Sequence, residues 1–122
     1  MKRLLFLTSF ILLSGCDNNT KIAESYAEKT IGVNLKDPDS AKFSSVVTHR
    51  IKQGAGYADL VHVCGLVSAK NGFGAYTGNS RFIVSFLDKP QPELVTQAIE
   101  KPDSREAFES VYWNGPCSDN RS

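Results

Sequence analysis

The chain has 122 residues, 41% of them hydrophobic and 22% charged, and 14 basic against 13 acidic side chains give a net charge of +1. That length suits one domain with a single core. No cluster of Lys and Arg occurs after residue 3, so the electrostatic footprint of a nucleic-acid binder is missing and nucleic acid is not an expected partner.

The first predicted element is an export signal. Lys2 and Arg3 precede the apolar run "LLFLTSFILL", which is shorter than the roughly 20 apolar residues needed to span a bilayer. A basic start with a short apolar centre predicts a signal peptide over residues 1–15. The run ends in Leu13, Ser14, Gly15 and Cys16, which resemble the lipobox of bacterial lipoproteins. The resemblance implies cleavage before Cys16, a diacylglycerol on its thiol and an acyl group on the new amino terminus. Several chains anchor stably where one is marginal, because each buried methylene contributes about 0.8 kcal/mol. An ordinary signal peptide in which Cys16 follows small residues by chance is the rival reading. Residues 16–20, "CDNNT", then form the lipidated cysteine and a short tether. Removing Lys2 and Arg3 with the leader leaves 12 basic and 13 acidic residues, a net charge of −1. Asp17, followed by Asn18, resembles the inner-membrane retention signal of lipoproteins in enteric-type bacteria, which favours the periplasmic face of the inner membrane over the outer membrane.

With Cys16 committed to lipid, Cys64 and Cys117 remain, and an oxidising envelope predicts that they pair. Closing that loop would stabilise the fold by about 4 kcal/mol in the chain-entropy account. Their spacing is too wide for a C-x-x-C redox motif.

A single domain is expected over 21–118, with 119–122 as a tail. In "KIAESYAEKTIG", Ile22, Ala23, Tyr26, Ala27, Thr30 and Ile31 share one helical face, while Lys21, Glu24, Glu28 and Lys29 lie opposite. This predicts an amphipathic helix ended by Gly32. Its mixed charges favour packing on the domain over lying on the bilayer. Asp37-Pro38-Asp39-Ser40 has turn chemistry. A half-buried strand follows over 43–52, with Phe43, Val47 and Ile51 pointing inward. "YADLVHVCGLVSA" suits a central strand carrying Cys64, and "RFIVSFL" is a third strand in which Phe82, Val84 and Phe86 alternate with Ile83, Ser85 and Leu87. Residues 93–100, after Pro90 and Pro92, fit either a fourth strand or a short helix. Asp103 and Glu106 make a capping-box-like start to a closing helix bearing Phe108, Val111 and Tyr112, stopped by Gly115 and Pro116. The expected fold is α+β: an N-terminal helix, a three- to four-stranded antiparallel sheet and a C-terminal helix tied by the disulfide.

Between the second and third strands lies "AKNGFGAYTGNSRF", residues 69–82. A phosphate-cradling loop must open a helix. This one leads into a strand, lacks the Gly-Lys-Ser/Thr of a P-loop and implies no nucleotide or other cofactor. It reads instead as a hairpin loop with positive φ at glycine or at Asn71 or Asn79. Phe73 and Tyr76 either fold back onto the sheet, the default for aromatic residues, or stand outward as interface anchors. Lys70, Asn71, Phe73 and Tyr76 are therefore the candidate binding loop, with Lys70 and Asn71 either holding the loop or touching a ligand.

"LKDPDSAKF" together with "VCGLVSAKNGFGAYTGNSRFIV" and the late Trp113 and Cys117 resembles a pattern in small exported proteins and lipoproteins of proteobacteria and their prophages. There, a DP-S-AKF element precedes C-G-x-V-x-A-K-N-x-x-G-x-Y-x-G-x-x-x-F. The resemblance supports the domain and the disulfide and implies no reaction.

Catalytic patterns are weak. His49 and His62 have no Cys, Asp or Glu beside them at metal-ligand spacing, so no metal site is expected. A triad could be drawn from a serine, Asp59 and His62, but no G-x-S-x-G setting accompanies it. Asp37, Asp39 and Asp59 have turn or edge roles instead of the pairing needed for glycoside chemistry. The functional expectation is a non-catalytic binding or accessory module, anchored through Cys16 and engaging an envelope protein, in the manner of prophage or plasmid exclusion proteins. A small periplasmic hydrolase is the alternative.

Overall fold

The computed structural model describes residues 18–118. The expected signal peptide, Cys16, Asp17 and the tail over 119–122 lie outside the described residues. Helix α1 spans Asn18–Gly32, a 3-10 turn spans Pro38–Ser40, and strands β1 (Lys42–Ile51), β2 (Leu60–Ser68), β3 (Ser80–Leu87) and β4 (Glu93–Ile99) follow. A closing helix, α2 (Arg105–Phe108), continues into a π turn over Glu109–Trp113. The four strands form one antiparallel sheet in the order β1-β2-β3-β4. The α+β expectation holds, and 93–99 is a strand.

α1 covers one face of the sheet. Ala23, Ala27 and Ile31 recur at one helical face and are buried against Val61, Val63, Val67, Phe82, Val84 and Phe86. The two alanines allow close approach of helix and sheet, and the large residues come from alternate positions of β2 and β3. This stripe is narrower than the sequence predicts: Ile22 stands a quarter-turn away and is 63% exposed. Helix α1 also begins at Asn18, so the tether read over 16–20 is partly helical. Gly32 does end the helix, but without a left-handed conformation. Asn34 caps it by donating from Nδ2 to Thr30 O at 3.0 Å and to Gln97 Oε1 at 2.8 Å.

The direction of α1 sets the polarity of the domain. Tyr26 packs on Phe86 with ring centroids 4.6 Å apart, and Asn34 reaches Gln97, which pairs with Val84. The helix therefore runs antiparallel to β3. Its first turn lies at the end of the sheet bearing the β1–β2 and β3–β4 turns, and its last turn lies at the end bearing the β2–β3 loop. Fifteen residues place these ends about 22 Å apart.

β1 departs from simple alternation. Its register shifts between Ser44 and Val47, where Ser45 takes φ +51°. This bulge puts Val46 against the core in place of Val47, which is 50% exposed, because one extra residue moves every later side chain to the other face. Gly65 is opposite the bulge, under the Phe82 ring. A Cβ there would sit 3.0 Å from Phe82 Cε1 and 3.1 Å from Val46 Cα.

The C-terminal segment covers part of the second face. Phe108 packs with Cys64 and Ile83, flanked by Ala98, Tyr112, Trp113 and Cys117, and Cys64 is bonded to Cys117 with Cα atoms 5.8 Å apart. The helix starts after Ser104, not at Asp103, and no side chain caps it. Backbone bonds from Asn114 to Glu109 O and from Cys117 to Tyr112 O span five residues. That wider winding turns Trp113 toward the sheet and leaves Val111 57% exposed, unlike the α-helical spacing expected for it.

Arg81 ties this segment down. Its Nε donates to Glu100 Oε2 at 2.7 Å, a second guanidinium nitrogen also bonds Glu100, and a third reaches Glu109 at 2.9 Å. The guanidinium carbon lies 5.2 Å from the Trp113 ring centroid and 5.6 Å from that of Phe108. Hydrogen bonding from Arg81 holds the Glu100 carboxyl below the ordinary carboxylate range.

Two stability measurements follow from this packing. Gly65→Ala overfills a contact made partly with backbone and is expected to cost about 1–3 kcal/mol by urea unfolding. Glu100, whose folded pKa is depressed, contributes stability that is present above the ordinary glutamate value of about 4.3 and lost as pH falls through its folded value. Glu100→Gln is expected to flatten the acid limb of stability against pH. The comparison with wild type isolates the pair, since desolvation and the neighbouring Glu24 move the Glu28 pKa the opposite way.

Candidate functional site

The glycine loop is a built object. Asn71 is its organiser: Oδ1 accepts from the backbone N–H of Phe73 at 2.9 Å and of Ala75 at 3.2 Å. Its main chain closes the turn, with Asn71 N donating to Ala75 O at 2.8 Å and Gly74 N donating to Asn71 O at 3.0 Å. The left-handed positions are Gly74 (φ +80°) and Gly78 (φ +88°). Neither Asn71 nor Asn79 takes the positive φ that the sequence reading allowed them; Asn71 acts through its side chain, as Asx turns do.

The loop is docked on the Pro38–Ser40 turn. Ser40 Oγ accepts from Lys70 N at 2.8 Å and donates to Asp37 O at 2.7 Å, while Tyr76 Oη donates to Ser40 O at 3.0 Å. Lys70 and Tyr76 also form an antiparallel bridge. The Lys42 ammonium lies 4.5 Å from the Tyr76 ring centroid and that of Lys70 lies 5.7 Å away, within the range of cation–π attraction. Tyr76 is thus neither core nor free: it is 42% exposed, with its hydroxyl fixed and its ring flanked by two cations.

Phe73 is different. It is 97% exposed at the tip of the turn that Asn71 fixes. The default expectation that both aromatics fold back onto the sheet is corrected for Phe73: the turn is pinned to Asn71, and the ring is carried away from the core. Lys70 holds the loop through its backbone N–H, while its ammonium lies near the Tyr76 ring. Sequence reading missed Ser40 and Lys42 as members of this site. The available signal lay in two stretches of this chain, "DPDSAKF" and "AKNGFGAY", which here touch through Ser40, Lys42, Lys70 and Tyr76.

A second polar feature crosses the other face of the sheet. His49 pairs with His62, His62 with Ser85, and Ser85 with Thr96, one residue from each strand. His62 Nδ1 and Ser85 Oγ are 2.6 Å apart, and His49, His62 and Ser85 are all buried. Asp59, the acid considered for a triad, instead meets Arg50 at 3.4 Å, and Arg50 also meets Asp88 at 2.5 Å. Among the described residues no three His, Cys, Asp or Glu side chains converge as a metal site. Compared with protein-family models, with curated proteins and with solved structures, the chain matches none.

The latch between loop and turn has a direct test. Ser40→Ala leaves the Lys70 amide without its acceptor and is expected to cost about 1–2 kcal/mol. Hydrogen exchange should quicken at Lys70, while Asn71→Ala should quicken it at Phe73 and Ala75 and leave the amides of β2 and β3 unchanged.

Proposed function

We propose that this chain is a membrane-anchored bacterial lipoprotein whose domain is a non-catalytic binding module of the cell envelope, displaying Phe73 to a protein partner. The supporting observation is the nearly complete exposure of a phenylalanine on a loop whose backbone is fixed by Asn71 and docked through Ser40. Leaving that ring in water forgoes roughly 1.5–3 kcal/mol that burial would supply. Fixing the loop beforehand lowers the ordering cost of docking. Binding residues concentrate on such loops, held by a rigid scaffold. Anchoring rests on the Leu13-Ser14-Gly15-Cys16 pattern, and inner-membrane retention on Asp17 and Asn18. α1 begins two residues after Cys16 and the loop lies at the opposite end of the domain, an arrangement that suits a soluble or projecting partner. An inhibitor or exclusion role of prophage type fits such a display.

A second reading, a small periplasmic hydrolase, is favoured by the contact of His62 with Ser85. Against it stands the burial of Ser85, 3% exposed, because a nucleophile must meet its substrate.

In-cell photocrosslinking decides between them. A photoreactive residue at position 73 is expected to give a discrete protein adduct, whereas one at Tyr57, 74% exposed at the opposite end, gives none. His62→Ala is expected to leave the adduct and the biological effect intact. Loss of effect in His62→Ala with the adduct preserved would instead favour the hydrolase. Metabolic labelling with an acyl-chain probe should mark wild type and miss Cys16→Ser.

A further inference from the structure

We infer that the partner receives the Phe73 loop on an acidic surface, with carboxylates seated against Lys42 and Lys70 around an apolar socket for Phe73. The inference rests on reading the loop as a display element and adds the chemistry of what it meets.

Arg50 is held by Asp59 and Asp88, Arg81 by Glu100 and Glu109, and Lys89 by Glu93. Lys42 and Lys70 form no ion pair among the described residues, as is also true of Lys21, Lys29, Lys36, Lys52 and Lys101. What sets the two apart is that their ammonium groups gather at one aromatic ring, that of Tyr76. Asp37 and Asp39 lie in the adjoining turn but pair with neither lysine. The Tyr76 ring is fixed through its hydroxyl and attracts both cations, and the exposed Phe73 stands three residues before it on the same loop. An apolar anchor and two cations carried by one loop and its adjoining strand complement an apolar pocket with a carboxylate rim.

Anionic lipid offers similar chemistry, but the geometry favours a protein. The start of α1, two residues beyond Cys16, and the glycine loop lie at opposite ends of the domain. On the anchored reading this loop sits at the far end of the domain from the start of α1, about a helix length, some 22 Å, along it.

The test uses the full chain in its host envelope with the probe at position 73, in wild type, in Lys42→Arg/Lys70→Arg and in Lys42→Glu/Lys70→Glu. Adduct formation is expected in the first two and to fall roughly tenfold or more in the third, since opposed like charges are strongly disfavoured across an interface. The crosslinked partner peptide should carry Asp or Glu. Lys42→Gln/Lys70→Gln, which adds no charge, serves as the second variant; its lower yield should lose the salt sensitivity of the wild type. An unchanged yield and salt response in both the Glu and Gln pairs would overturn the acidic partner and leave the display reading standing. An adduct to lipid would overturn the choice of a protein. No adduct from position 73 in any background would remove the display reading as well.

Discussion

A four-stranded sheet has two faces to cover, and a domain of about a hundred residues has little chain with which to cover them. This constraint organises the molecule. α1 takes one face through a stripe of small residues and one isoleucine, which brings the helix close over Val61, Val63, Phe82 and Val84. Among the described residues, the other face receives a short, π-wound segment, too brief to hold itself there by helix propensity. It is held by the Cys64–Cys117 bond, by Phe108 against Ile83 and by Arg81 reaching two carboxylates. The remainder of that face is not purely apolar: the row His49, His62, Ser85 and Thr96 crosses it.

The same economy explains the glycine loop. A hairpin of this length with three glycines would be entropically loose, yet it is tied at both ends of its span. Asn71 replaces sheet hydrogen bonds inside the turn, and Ser40 offers both its hydroxyl and its carbonyl to the loop's flanks. The turn before β1 and the loop before β3 are thus one structural unit, although 30 residues of sequence separate Ser40 from Lys70.

Much of the scaffold was legible in the sequence. The alternation of Phe82, Val84 and Phe86 against Ile83, Ser85 and Leu87 matches the two faces of β3, and Cys64 and Cys117 pair as expected. What escaped was whatever shifts a period by one residue. The bulge at Ser45 exchanged Val47 for Val46, and the π turn exchanged Val111 for Trp113. Neither insertion leaves a local mark, because the decisive partners, Gly65 and the disulfide, lie far along the chain. The candidate loop was legible as a place but not as a mechanism. Glycine and asparagine counts point to backbone freedom, whereas Asn71 works by accepting hydrogen bonds and Tyr76 by reaching Ser40, contacts that only the assembled sheet creates.

Trp113 is the chain's sole tryptophan. It packs near Phe108, with ring centroids 6.2 Å apart, lies beneath the Arg81 guanidinium and belongs to the cluster containing Cys64 and Cys117. Its emission therefore senses this one junction and no other tryptophan dilutes the signal. The domain carries its own optical label for the C-terminal clasp, so release of that clasp on reduction or heating can be timed apart from the melting of the sheet beneath it.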